Sequence, residues 1–311
     1  MKIKNYFFIM LFLMLSITSC KKDDDTTTFV ERDRTEQQVI DKDSLLGYLE
    51  THYYNSSTFE TPGDYSIDDI IITELPQDEN GNYLSLPDPE NNTLLIDAVE
   101  IHMSNYFDVD YEYYILRLNQ GGGESPNFTD NVLINYSGFT QDNNVFDSTV
   151  NPDSPFDMIN LIRGWRDVIP QFNTATTFLI NPDNTISYTN YGLGVMFLPS
   201  GLAYFSSPPF GINSYSNLIF KFELYQSEVN DHDNDGVPSY LEDLDNSLSV
   251  FDDDTDNDDS PNFLDIDDDG DGVLSIHEDI DGDGDPSNDI GANGIPKYLD
   301  PEETESNQDQ D

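Results

Sequence analysis

The spacing of apolar and polar positions changes several times along this chain of 311 residues, and each change marks a different element. Tyr6 to Ile17 is an apolar run behind Lys2 and Lys4. It is too short to span a bilayer, which takes about 20 apolar residues, and it has the form of an export signal. From Glu36 to about Tyr54, the positions Val39, Ile40, Leu45, Leu46, Tyr48 and Leu49 recur at helical spacing. Asp41 or Asp43 is placed to cap the main part of that helix by accepting from free backbone N–H groups. Asn55 to Asp97 is rich in Asn, Pro, Asp and Gly, interrupted by Ile70-Ile71-Ile72, and predicts an irregular region. From Tyr111 the pattern turns β-like. Tyr111–Leu118, Val132–Tyr136, Thr177–Ile180 and Leu218–Leu224 are strand candidates, separated by Gly121-Gly122-Gly123 and by Asn- and Pro-containing clusters. One short helix is expected near Ile162 to Val168. The set predicts an α+β domain, an antiparallel sheet with the helix on one face.

Charge sharpens this picture. Sixty-two acidic against 12 basic residues give a formal charge of −50, which repels a phosphate backbone and argues against nucleic acid as a partner. Between Asp231 and Asp300 the only Lys or Arg is Lys297. Self-repulsion would keep so acidic a stretch disordered unless cations are bound. At the other end, the apolar run finishes in Ile17-Thr18-Ser19-Cys20, which resembles a bacterial lipobox, in which the Cys becomes an acylated N-terminus. The alternatives are an ordinary secretory signal with an incidental Cys, or an uncleaved anchor. Cys20 is the only cysteine, so an intramolecular disulfide and a Cys-based metal cage are both excluded. Lys21-Lys22-Asp23-Asp24-Asp25 and the following Thr run form a solvated tether. This stretch is also similar to the acidic export tag of some surface lipoproteins of Bacteroidetes type. The expected location is the cell envelope, lipid-anchored at the outer membrane, on its periplasmic or its surface side.

Five short motifs follow one another in the middle of the chain: Tyr136-Ser137-Gly138; Val145-Phe146-Asp147-Ser148; Leu161-Ile162-Arg163-Gly164-Trp165; Leu202-Ala203-Tyr204; and Leu218 to Leu224 with Phe220 inside it. In this order they resemble the FKBP family of peptidyl-prolyl cis-trans isomerases. The resemblance implies an FKBP-like antiparallel sheet wrapped on one short helix, between about Tyr111 and Glu228. It also implies a pocket made of Tyr136, Phe146, Asp147, Phe156, Leu161, Ile162, Trp165, Tyr204 and Phe220, with the only Trp as its floor. Asp147 would accept a polar contact at the rim, and the Tyr204 hydroxyl would bond the substrate backbone. Proline-containing polypeptides are the implied substrates, and catalysis would need no cofactor or metal. The chain departs from the family where the connection from Phe156 to Ile162 is shorter than usual, where Phe205 follows Ala203-Tyr204 in place of the usual Gly, and where the segment between Val168 and Pro199 is enlarged. The last two changes are expected to border the pocket. A proteolytic triad is not supported, because the four His residues lie in no recognisable catalytic setting.

The acidic segment has a spacing of its own. Asp231, Asp233, Asp235, Gly236, Val237 and Glu242 match the roughly 12-residue EF-hand calcium loop, in which alternate oxygens, a Gly at the sixth position and a distal acid surround a hard cation. Asp267, Asp269, Asp271, Gly272, Val273 and Glu278 repeat the match. A third loop runs from Asp254, Asp256 and Asp258 to Asp265, with Asp259 in place of the Gly. Asp281, Asp283 and Asp285, with Asp279, form a further cluster. Without long flanking helices, Pro238-Ser239-Tyr240-Leu241-Glu242 and Ile295-Pro296-Lys297-Tyr298-Leu299-Asp300 instead resemble thrombospondin type 3-like repeats, which implies structural calcium in a mostly irregular segment. Removing calcium is then expected to unfold this segment while the aromatic domain stays folded.

The expected organisation is therefore a signal over 1–19, a lipidated Cys and tether over 20–35, and a helical or irregular region over 36–110. An isomerase-like domain covers 111–228, acidic calcium repeats 231–300, and a disordered tail 301–311. Two functions remain open at this point: a prolyl isomerase that assists the folding of exported proteins, and a non-catalytic FKBP-like binding or adhesion module organised by calcium.

Overall fold

The computed structural model describes residues 30–149, 152 and 154–310. Cys20 and the apolar run before it lie outside the described residues. The chain divides into two compact units, Met1–Glu31 and Arg32–Asp311, and the elements of regular structure that follow belong to the second. Among the described residues no helix is long and apolar enough to cross a membrane.

Helix α1 (Arg34–Thr51) begins earlier than its apolar spacing suggested. The cap is Asp33, whose side chain accepts from Glu36 N at 2.9 Å, rather than Asp41 or Asp43. The first turn is polar, so hydrophobic periodicity could not report it. Asp41 lies inside the helix, buried, and accepts from Gln37 Nε2 at 2.7 Å and from Ser200 Oγ at 2.6 Å. The helix ends at Thr51, and His52–Tyr54, expected to continue it, forms strand β1; with β2 (Ile72–Glu74) and β3 (Thr93–Leu94) of the region expected to be irregular it makes a small antiparallel sheet in the order β2-β1-β3.

The main sheet has seven antiparallel strands: β4 (Glu100–Tyr106), β5 (Val109–Asn119), β6 (Asn131–Thr140), β7 (Val145–Ser148), β8 (Phe156–Asp157), β11 (Gly192–Leu198) and β12 (Leu218–Glu228). Helix α2 (Arg163–Val168) and the hairpin of β9 (Thr177–Ile180) and β10 (Ile186–Thr189) connect β8 to β11. The strand order is β4-β5-β11-β12-β6-β7, with β8 pairing β6. The sheet thus starts at Glu100, ahead of the β pattern read from Tyr111.

Alternation along the strands divides the core in two. Tyr113 and Ile115, Met196 and Leu198, and Phe220 and Phe222 share one cluster with Trp165 and Val168 of α2. Tyr114 and Leu116, Val195 and Phe197, and Ile219 share the other with Leu45, Tyr48 and Leu49 of α1. The sheet therefore carries a helix on each face, where one short helix was expected. Covered on both sides, β11 is buried at every residue. A strand buried on both faces shows no alternation, and for this reason β11 escaped the sequence reading.

The acidic segment after β12 has no strand or α-helix among the described residues, only short 3-10 turns such as Ser239–Glu242 and Asn262–Leu264. It is not separate from the sheet domain. Val250 and Phe263 belong to the same hydrophobic cluster as Trp165, with Tyr240 and Leu248 packed against it. From α2, Arg163 Nη1 donates to Ser247 O at 2.8 Å and Arg166 Nη1 to Leu248 O at 3.1 Å. The independent unfolding expected for this segment does not fit a shared core.

Candidate functional site: an aromatic pocket and a string of carboxylate loops

Seven parts of the fold converge on one pocket of about 250 Å³. Strand β6 supplies Ile134 and Tyr136, β7 supplies Phe146 and Asp147, and β8 supplies Phe156. The turn entering α2 gives Asn160, Leu161 and Ile162, the helix gives Trp165, the turn after β11 gives Tyr204, and β12 gives Phe220. All nine residues that the resemblance implied, eight from the motifs and Phe156, line it. Ile134 and Asn160 were missed. Ile134 shares the face of Tyr136 at a spacing of two, a signal already present in the sequence; Asn160 carries none.

The rings meet edge to face, as their quadrupoles prefer. Trp165 is 4% exposed, with its centroid 5.3 Å from Tyr136 and 5.2 Å from Phe220. Phe146 stands against Phe220 at 5.5 Å and 88°, and Phe156 against Tyr136 at 5.8 Å. Two motif glycines are explained by this packing. A Cβ on Gly138 would come within 2.7 Å of both Phe146 and Phe220, and one on Gly164 within 2.3 Å of Leu198. Gly138 therefore lets two rings close over β6, and Gly164 lets α2 lie on β11.

The polar groups sit at the rim. The Tyr136 hydroxyl donates to Asp147 Oδ2 at 2.6 Å, and Ser148 N donates to the other oxygen at 2.9 Å. Burial, that hydrogen bond and the carboxylate charge push the Tyr136 phenol up, and burial with the same charge raises Tyr204. Both hydroxyls thus stay protonated donors at neutral pH. The short connection from Phe156 to Ile162 lines the pocket, whereas neither Phe205 nor the enlarged hairpin borders it. Phe205 takes the left-handed conformation a Gly would supply (φ 48), and its ring is buried between Tyr215 (5.0 Å) and the guanidinium of Arg34 (4.1 Å). The β9–β10 hairpin contributes no lining residue.

The acidic segment brings its carboxylates into groups. Asp231, Asp233 and Asp235 lie together, as do Asp254, Asp256 and Asp258, and Asp267, Asp269 and Asp271. Within each loop a carboxylate also accepts from the backbone two to five residues on, as Asp231 does from Gly236 N at 3.1 Å and Asp254 from Asp259 N at 3.1 Å. Asp265 accepts from Asp267 N at 3.0 Å. Val237 N and Val273 N donate to Asp235 at 2.8 Å and Asp271 at 2.6 Å. Asp281, Asp283 and Asp285 show the same internal pattern, accepting from Asp283 N, Asp285 N and Ser287 N at 3.0–3.1 Å. The sixth position needs a left-handed backbone: Gly236 has φ 96, Gly272 φ 95, and Asp259 is held there at φ 77. A fourth group, Asp243, Asp245 and Asp253, was not anticipated, because its members lie outside the loop register.

Several of these oxygens are buried without a hydrogen-bond partner, among them both of Glu242, both of Glu278, and one each of Asp233, Asp235, Asp268 and Asp269. Burial and then neighbouring carboxylates push Glu278 up to about 8 and Glu242 up to about 10. Buried, unpartnered carboxylates are costly unless protonated or matched by a cation. An all-oxygen donor set suits a hard divalent ion.

The chain is similar to FKBP-type peptidyl-prolyl isomerases. It is 30% identical over 111 residues to an Escherichia coli (strain K12) protein named FKBP-type 22 kDa peptidyl-prolyl cis-trans isomerase; the match covers 35% of this chain and 47% of that protein. The chain thus spans about half the length of this curated relative. Among solved structures, a peptidyl-prolyl cis-trans isomerase from Pseudomonas syringae pv. tomato is 20% identical, with a TM-score of 0.31, over 40% of this chain and 80% of that one. FkpA from Escherichia coli is 24% identical, with a TM-score of 0.31, over 37% and 48%. The family described as BamM C-terminal matches residues 232–278, inside the acidic segment.

Proposed function

We propose that this chain is a peptidyl-prolyl cis-trans isomerase of FKBP type, which assists the folding of exported, proline-containing polypeptides. The observation that carries the proposal is the convergence of eight motif residues and Phe156 on one aromatic pocket floored by Trp165. Rotation about an X–Pro amide is slow because its C–N bond has partial double-bond character, with a barrier of about 18–20 kcal/mol. Resonance makes the planar amide more dipolar than the twisted one. Walls of Trp165, Phe220, Phe146 and Phe156 that exclude water therefore favour the twisted form. Holding the flanking chain in a turn supplies orientation in advance. Asp147 at the rim can accept from the substrate, and the raised Tyr204 phenol can donate to a substrate carbonyl. No step requires a nucleophile or a proton relay.

The same reading assigns calcium to the acidic loops as a structural ion, and assigns Cys20 as a lipid attachment site in the cell envelope. The first is supported by the buried, unpartnered carboxylates and the second by the sequence around Cys20. The competing reading, a binding or adhesion module without turnover, drew its support from Phe205, and that ring packs on Arg34 and Tyr215. The test is a proline-limited peptide isomerisation assay on the full chain, alongside Trp165→Ala and Asp147→Val. Acceleration that falls sharply in both variants supports the isomerase. No acceleration by the unaltered chain, together with retained peptide binding, would replace it with the binding module.

A further inference from the structure

We propose that Asp235 and Glu242 of the first acidic loop and Asp268 of the second hold one calcium ion between them, at a site neither loop completes alone. One carboxylate oxygen from each lies within 4.8 Å of the others, and all three residues are buried. Asp268 falls one position off the ligand register of its own loop, Asp267, Asp269 and Asp271, and its side chain is turned toward the first loop instead.

Two of the three carboxylates are oriented by a hydrogen bond to one oxygen, and the third is wholly buried. The Ser275 hydroxyl donates to Asp268 Oδ2 at 3.0 Å and leaves Oδ1 buried without a partner. Val237 N donates to Asp235 Oδ1 at 2.8 Å and leaves Oδ2 in the same condition. Glu242 is 0% exposed and neither of its oxygens has a hydrogen-bond partner. The charges acting on Glu242 are those of Asp268, Asp235 and Asp233, all of one sign. Three convergent acids with no cationic side chain among them call for a positive ligand, and four free oxygens suit a hard ion of irregular coordination, calcium before magnesium.

Asp235 also belongs to the group with Asp231 and Asp233, so its carboxylate would lie between two neighbouring ions. Filling the shared site ties the second loop to the first. Phe263, between them in sequence, lies in the core that holds Trp165. The inference rests on reading the acidic loops as cation sites and is independent of the isomerase reading.

The test measures calcium by equilibrium dialysis on the full chain and on Asp268→Asn, with Asp258→Asn as a control in another loop. Tyr298 is buried, and the charges of Asp268, Glu242, Asp235 and then Asp285 act on it, so the part of its sensitised terbium emission that Asp268→Asn removes reports this site. Asp268→Asn should bind one ion fewer and lose most of the emission. Asp258→Asn should keep the emission, and Tyr298→Phe should lose it without losing the ion. In chelator, Asp268→Asn should melt no lower than the unaltered chain, because it removes one repelling charge, and should gain less from calcium. Glu242→Gln, which reaches the cluster from the other loop, should repeat the pattern. An unchanged number of ions at unchanged affinity in Asp268→Asn overturns the proposal, as does an equal loss of stability with and without calcium. If the unaltered chain binds no calcium, the reading of the loops as cation sites falls as well.

Discussion

Replacing Phe263 by Ala tests whether the acidic segment and the aromatic domain are one folding unit. Phe263 is 1% exposed and sits in the cluster that contains Trp165 and Phe220. Its ring also meets His232 edge-on at 5.4 Å and Phe251 at 5.0 Å. Truncating a buried Phe to Ala costs about 3–5 kcal/mol, the removed transfer free energy plus the cavity left behind. The edge-on contacts fall within that range rather than adding to it. At roughly 2–4 °C per kcal/mol for a domain of this size class, the melting midpoint should fall by on the order of 10 °C. The fluorescence of Trp165 is the assay, because it is the only tryptophan and forms the pocket floor, within the sheet domain. If Trp165 unfolds at an unchanged midpoint while the acidic segment melts on its own, the shared core has no energetic meaning and the coupling is wrong.

Three further outcomes are expected. Tyr204→Phe removes one hydroxyl from the pocket rim and nothing from its walls; a hydrogen bond of about 1 kcal/mol predicts a several-fold drop in kcat/KM for peptide isomerisation with the fold intact, and an unchanged value would remove Tyr204 from the mechanism. Gly164→Ala places a methyl group 2.3 Å from Leu198, which is fully buried, and should cost about 1–3 kcal/mol in urea unfolding. In chelator, stability should decline as pH rises from about 4 towards 8, since Glu278 is pushed from 4.5 up to about 8 and the folded chain keeps a proton that the unfolded chain has already released. Calcium should flatten or reverse that decline, and stability that climbs across the same range in chelator would show that these carboxylates are not buried as described.

The pocket was legible because FKBP-like motifs are local. Tyr136-Ser137-Gly138 needs a glycine where Phe146 and Phe220 close in, and Ile162-Arg163-Gly164-Trp165 needs one where α2 meets Leu198. The acidic loops were legible for the same kind of reason. Alternate Asp residues with a left-handed sixth position form a turn whose geometry is complete within a few residues, and Asp259 at φ 77 shows how firmly the turn demands that conformation.

What the sequence determined by itself is therefore the chemistry available over short stretches: which side chains line the pocket and which carboxylates crowd each loop. Only the tertiary structure decided where those stretches meet. It placed β11 at the centre of the sheet, set α1 on the face opposite α2, turned Phe205 onto Arg34, and brought Asp268 to Glu242. The reason is physical. Periodicity reports that a segment has one buried face, but it does not say what covers that face. A segment covered on both sides has no period to report. Val250 and Phe263 lie in short apolar patches of an acidic stretch, and only the arrival of α2 beside them makes them part of a core.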